Sequence, residues 1–304
     1  HWMFSKTSSL KYPIFCALLI LVLSYYFTWL AANYDYWLNR FNYVMFVPAP
    51  VAAIFIFIQH KNWRALINPF GQKPSFKAVL FSILYPLFII LACAVIAQTL
   101  GLASVDWGSL ANKLYFQSPV QFLWAMGFLF GEEYAWRGYL LPQFSKKLGA
   151  IKATWIVGGV WAVWHGPLVY LLASRLNTSE SPLTLTLVQM FVVLIFSFPF
   201  AYSYIISKSI LPPIILHYVW NWLNPVILGN IYRNQPGIAE GDIFIINGEG
   251  VDLRINTLPS LHGEKVVLRL LPHKNPFVTL NALGFEGESL SIYREWLSRP
   301  QGLI

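Results

Sequence analysis

Seven stretches of this chain, at about 13–32, 41–59, 78–100, 119–141, 153–173, 183–207 and 210–229, are apolar runs of bilayer-crossing length. Lipid offers no partner to a backbone N–H or C=O, so a run of about 20 apolar residues can cross only as a helix. That requirement predicts an all-α polytopic membrane protein of about seven transmembrane helices over residues 1–245, with a small α+β appendage at 246–304. Composition agrees, with 11% charged residues against roughly 25% in an ordinary soluble domain. The run at 41–59 carries Pro48 and Pro50 and is expected to kink. The first run is too long for a secretory signal core and has further spans after it, so it reads as an uncleaved helix. Cys16 and Cys93, the two cysteines, both fall in apolar runs, which leaves no disulfide framework and no cysteine zinc site.

The net charge of +8 belongs to the membrane part, because six acidic and six basic residues cancel from Asn247 onward. It therefore reads as loop charge, and no nucleic-acid partner is expected. One set of alternate loops holds Lys6, Lys11, Lys61, Arg64, Lys73, Lys77, Lys146, Lys147, Lys152 and Lys208; the other holds only Arg40, Lys113, Arg175 and Arg233. The positive-inside bias puts the N-terminus in the cytoplasm. Residues 60–77, with Trp63 and Phe70 among the basic side chains, read as a segment lying at the bilayer surface.

Inside the apolar runs of the membrane part, acidic side chains occur at one place, Glu132 and Glu133 in Gly131-Glu132-Glu133-Tyr134-Ala135-Trp136-Arg137-Gly138. An ionised group at membrane depth costs a few kcal/mol or more, which makes it a functional candidate by default. On a helix Glu133 and Arg137 are four apart and can pair, while Glu132 points about 100° away and is left free. The spans also carry His165, in Trp161-Ala162-Val163-Trp164-His165, and His217, with Asn221 one turn further on the same face. Counted from the cytoplasmic ends, Glu132, His165 and His217 lie at depths that agree to within roughly 8 Å. Singly, each is more often a packing residue than a catalyst; together at one level they favour catalysis.

Glu-Glu-x-x-x-Arg, an aromatic-x-x-x-His and His-x-x-x-Asn on successive helices resemble the CPBP intramembrane proteases. That family includes the type II CAAX prenyl endopeptidases and bacterial proteins linked to bacteriocin processing or self-immunity. The resemblance covers roughly 84–229 and implies an endopeptidase in which Glu132 acts as base on a water that His165 also orients. It further implies an oxyanion site of His217 and Asn221, with Glu133 and Arg137 holding the helix in place. The second motif usually begins with Phe; Trp161 stands there in this chain and is expected to alter the pocket wall more than the chemistry. The eighth helix frequent in the family is not found. Two Glu and two His can also ligate zinc, but the His-Glu-x-x-His spacing is missing and Asn is a poor zinc ligand. Metal-free hydrolysis without a cofactor is therefore favoured. The expected substrate is a membrane-anchored or transmembrane protein, cut near the inner face of a bacterial cytoplasmic membrane. A non-catalytic immunity or scaffold protein, and a transporter or proton relay, are the competing classes.

From about Ile246 the pattern changes. Residues 251–256 alternate like a half-buried strand, 264–271 offer another, and 288–297 read as a short helix. Leu253-Arg254-Ile255-Asn256-Thr257-Leu258-Pro259, Gly263 to Leu271, Leu283-Gly284-Phe285 and Arg299-Pro300-Gln301-Gly302-Leu303-Ile304 resemble the stretch before the nucleotide-binding loop of secretion and type IV pilus assembly ATPases. No Gly-x-x-x-x-Gly-Lys-Ser/Thr is present, so ATP binding is not expected. Seven spans would deliver this tail to the side opposite the one where those ATPases work, so either a span is miscounted or the tail is a non-functional fusion or the product of a truncated reading frame, and the last two are favoured.

Overall fold

The structure, a computed structural model, describes residues 9–71, 73–110, 119–175, 181–229, 251–260 and 263–272. It divides into two compact units, His1–Ile245 and Ile246–Ile304. In the first, α1 (Lys11–Asn33) is followed by a 3-10 stretch, Phe41–Phe46, that leads into α2 (Pro48–His60). A second 3-10 stretch, Trp63–Phe70, precedes α3 (Phe76–Thr99). Then come α4 (Pro119–Ala135), a π-helical turn Trp136–Leu140, α5 (Leu141–Leu148), α6 (Ala150–Arg175), α7 (Pro182–Ser207) and α8 (Leu211–Ile227). Among the described residues, five segments, Lys11–Asn33, Phe41–His60, Phe76–Thr99, Ala150–Arg175 and Pro182–Ser207, are long and apolar enough to cross a membrane. The unit is thus an integral membrane protein. Helices α4 and α8 are shorter, at 17 residues each.

Local chemistry sets the ends of these helices. Ser75 caps α3 by accepting from the Ala78 N–H, and Ser181 caps α7 by accepting from the Thr184 N–H, with Pro182 in the first turn. At Pro48 and Pro50, where a kink is expected, the helix changes type. The 3-10 stretch gives way at Val47, and both prolines sit in the first turn of α2, where a missing N–H breaks no bond. The segment 60–77 does more than lie on the surface. Ala65 and Pro69 are buried, Leu66 O accepts from Tyr134 Oη at 2.8 Å, and Pro69 O accepts from the Ile210 N–H at 3.1 Å.

The buried stripe of α1 is made mostly of small residues (Cys16, Ala17, Ser24, Thr28, Ala31), while Phe15, Leu18, Val22 and Tyr26 face outward. Lipid removes the drive to bury large apolar groups, so inner faces are selected for close approach. The tightest approaches are at glycines. A Cβ on Gly131 would strike the Met45 carbonyl oxygen, and one on Gly158 would strike the Ser197 hydroxyl. Gly131→Ala should therefore force α4 away from the 3-10 stretch and destabilise the fold by about 1–3 kcal/mol. Thermal unfolding in detergent measures this, and an unshifted midpoint would mean the two backbones are not held together.

Contacts along paired helices give their directions. Ser24 meets Trp164 and Ala32 meets Arg175, so α1 and α6 run parallel. Met45 and Phe46 meet Gly131 while Gln59 meets Gln143, so the 41–60 segment and the α4–α5 segment also run parallel. Tyr85 meets Phe196 and Phe81 meets Tyr202, making α3 and α7 antiparallel. Phe196 meets Trp220 and Phe200 meets His217, making α7 and α8 antiparallel.

In the second unit, β1 (Val251–Ser260) and β2 (Gly263–Pro272) form an antiparallel hairpin in which Ile255 pairs with Leu268. The helix read at 288–297 lies outside the described residues.

Candidate active site

The acidic pair ends α4, and the next residues wind into the π turn Trp136–Leu140. Such turns are rare and concentrate at functional sites. Gly138 makes room for this one, since a Cβ there would lie 2.7 Å from Pro69 Cβ and 3.1 Å from Ile210 Cγ2.

Glu133 and Arg137 are paired as their spacing predicts. Arg137 Nη1 donates to Glu133 Oε1 at 2.9 Å and lies 3.1 Å from Oε2, with both side chains buried. The pair is not confined to its own helix. His217 Nδ1, on α8, lies 2.9 Å from the same Oε1. A carboxylate can only accept, so this nitrogen carries the proton and the ring's second nitrogen, Nε2, remains for other partners. Glu133 thus bridges α4 to α8 in addition to holding its own turn.

Glu132 is not left free. It is 2% exposed, and its Oε2 accepts from Trp161 Nε1–H at 2.8 Å and, at 3.4 Å, from Trp136 Nε1–H. Its Oε1 takes part in neither bond. The two adjacent carboxylates are therefore held differently, one by a guanidinium and an imidazole, the other by two neutral indoles.

Trp161 is the hub of this arrangement. Its ring centroid lies 5.5 Å from that of His165, 5.8 Å from His217 and 5.2 Å from Phe200. The Arg137 guanidinium carbon sits 4.1 Å from the Trp161 ring centroid and 4.4 Å from that of Phe200, so the cation lies over the corner made by two edge-packed aromatic rings. Arg137 Nη2 is buried with no hydrogen-bond partner among the described residues.

His165 is partly buried on α6, and its Nδ1 lies 2.8 Å from the Trp161 carbonyl oxygen. A carbonyl cannot donate, so Nδ1 carries the proton and Nε2 keeps its lone pair. Two residues on, Pro167 lacks the N–H that would bond the Val163 carbonyl. Tyr25 Oη on α1 supplies that missing donor at 2.6 Å. Trp164 Nε1 donates to Ser24 Oγ at 2.8 Å beside it, so α1 fixes the stretch of α6 that carries His165.

The structure therefore gathers Glu132, Glu133, Arg137, His165 and His217 around Trp161. Asn221 stands apart. Its side chain is exposed, and among the described residues no hydrogen bond joins it to the others. Sequence reasoning missed Trp136 and the polar role of Trp161. Trp136 is four residues from Glu132, a helical-face signal that was available; the Trp161 contact joins residues 29 apart and carried no local signal. No group of three or more His, Cys, Asp or Glu is arranged to hold a metal ion among the described residues.

Chemically, the cluster offers a desolvated carboxylate with one open oxygen, an imidazole with an open lone pair, and a second imidazole backed by a carboxylate. Such a set can take a proton from a water molecule and face an oxygen on which negative charge develops.

Residues 115–223 match the family described as type II CAAX prenyl endopeptidase Rce1-like, and all six candidate residues fall within that match. Residues 240–304 match the type II/IV secretion system protein family. Over short stretches the chain is similar to the type IV pilus assembly ATPase PilB of Acinetobacter baylyi, at 43% identity over 54 residues, 18% of this chain and 9% of that protein. PilB of Pseudomonas aeruginosa is 41% identical over 72 residues, 24% of this chain and 13% of that protein. The type II secretion system ATPase E of Vibrio cholerae is 41% identical over 59 residues, 19% of this chain and 12% of that protein. The chain spans about a tenth of the length of these curated relatives.

Proposed function

We propose that the helical unit is an intramembrane endopeptidase that hydrolyses a peptide bond of a membrane-anchored or transmembrane protein. The observation that carries this reading is the convergence of Glu132, His165 and the Glu133–His217 pair, from three helices, around one buried indole. The match of 115–223 to the CAAX endopeptidase family supports the same chemistry.

Glu132 Oε1 takes a proton from a water that His165 Nε2 also orients. The resulting hydroxide attacks the carbonyl carbon of the scissile bond, and the proton passes on to the leaving amine. His217 meets the developing oxyanion through Nε2, which needs the ring doubly protonated; the Glu133 carboxylate at Nδ1 supplies the counter-charge. Asn221 lies four residues further along α8 and completes that site from its exposed position once substrate is bound. Glu133 Oε1 already engages both Arg137 and His217, and the proposed hydrolysis proceeds without a metal ion.

Helix directions support seven crossings. Were only the five longest segments to cross, α6 would be the fourth and run opposite to α1, whereas the two are parallel. Counting α4 and α8 as spans makes every observed pairing consistent with an up-and-down bundle. His217 then lies about 9 Å inside the end where Lys208 packs against Gly71 and the basic loops gather. By the positive-inside rule that end is cytoplasmic, in a bacterial inner membrane.

Full-length protein in liposomes, given a library of membrane peptides, should yield new termini clustered towards the basic-loop side. Cleavage should survive a strong chelator. Activity lost with chelator and restored by zinc would replace the metal-free route, and termini clustered on the opposite face would reverse the orientation.

A further inference from the structure

We propose that Trp161 is a positioning residue, whose indole N–H fixes Glu132 so that Oε1 is the oxygen presented to the reacting water. This rests on the reading of Glu132 as the base.

A glutamate's terminal torsion is broad and roughly two-fold, so an unrestrained carboxylate interchanges its oxygens. Here both indole donors converge on Oε2, Trp161 at 2.8 Å and Trp136 at 3.4 Å, which singles out one oxygen. In a water-excluded site, such fixed donors also replace the hydration that the carboxylate has lost. The Trp161 ring is itself held by Arg137 at 4.1 Å and by the Phe200 and His165 rings. Arg137 in turn is held by Glu133. The buried ion pair therefore reaches the base through one indole, in the order Glu133, Arg137, Trp161, Glu132. A phenylalanine at 161, usual in the family this stretch resembles, would keep the ring contacts and lose the last link.

Shape can be separated from the N–H by three replacements at position 161 in the full chain. Trp161→Phe removes the N–H and part of the ring. β-(3-Benzothienyl)alanine keeps the bicyclic shape without the N–H, and 5-fluorotryptophan keeps both. The first two should lower kcat about 10- to 100-fold with KM changed by less than about twofold, and the third should match the unmodified protein. Wild-type kcat in the benzothienyl form would overturn the proposal and leave Trp161 as pocket wall. Glu132→Gln separates the two levels: if it remains active, the assigned base is wrong; if it is inactive while the benzothienyl form is fully active, only the positioning role falls. A readout independent of turnover is the infrared carboxylate band lost on Glu132→Gln, which should move in the benzothienyl background. An unmoved band would also overturn the proposal.

Discussion

Glu132→Gln should reduce peptide cleavage by about 10²- to 10⁴-fold, the range a positioned general base contributes. The protein should remain folded. An amide oxygen still accepts from the Trp161 and Trp136 indoles, and no cation depends on Glu132 for its pairing, because Arg137 is bonded to Glu133. The unfolding midpoint in detergent should therefore move by no more than about 3 °C. His165→Ala should cause a comparable loss of rate, since it removes the Nε2 lone pair that the Trp161 carbonyl keeps available. Cleavage unchanged by Glu132→Gln would remove this residue from the mechanism. A proteoliposome flux that depends on Glu132 would favour a transporter over a hydrolase.

Arg137→Leu should act on stability, not only on rate. Glu133 is fully buried at 0% exposure, and Arg137 is its ion-pair partner on the same helix. Removing the guanidinium leaves the buried carboxylate with the His217 ring as its remaining partner and costs about 3–5 kcal/mol. Loss of the cation also removes its contacts with the Trp161 and Phe200 rings. The single variant should thus unfold far more readily than the wild type. Adding Glu133→Gln removes the stranded charge, so the double variant should regain much of the lost stability. It should stay slow, because His217 no longer faces a carboxylate. Thermal unfolding and cleavage rates of both forms measure the two effects; a double variant as unstable as the single one would show that charge is not what the pair contributes.

Much of the site was legible as a list of residues and little of it as a set of partners. Glu133 and Arg137 are four apart on one helix, so their pairing follows from helical geometry alone. The depths of His165 and His217 follow similarly from counting along apolar runs. Nothing local told that His217 would bond to Glu133, 84 residues away, or that Glu132 would receive two indole N–H groups. Nor did the pattern around Trp136 announce a π turn, whose extra residue shifts which side chains face the neighbouring helices.

The sequence by itself determined that the first unit crosses a membrane as helices, where charge could sit within it, and which ionisable residues share a level. These follow from hydropathy and from the 1.5 Å rise, which depend on neighbours in the chain. Tertiary structure alone decided how each helix is rotated and slid against the next. Lipid exerts no hydrophobic pull to choose a packing face, so close contacts such as Gly131 on Met45 and Gly158 on Ser197 set the register. That register puts Trp161 between the two histidines and Glu132, and leaves Asn221 exposed.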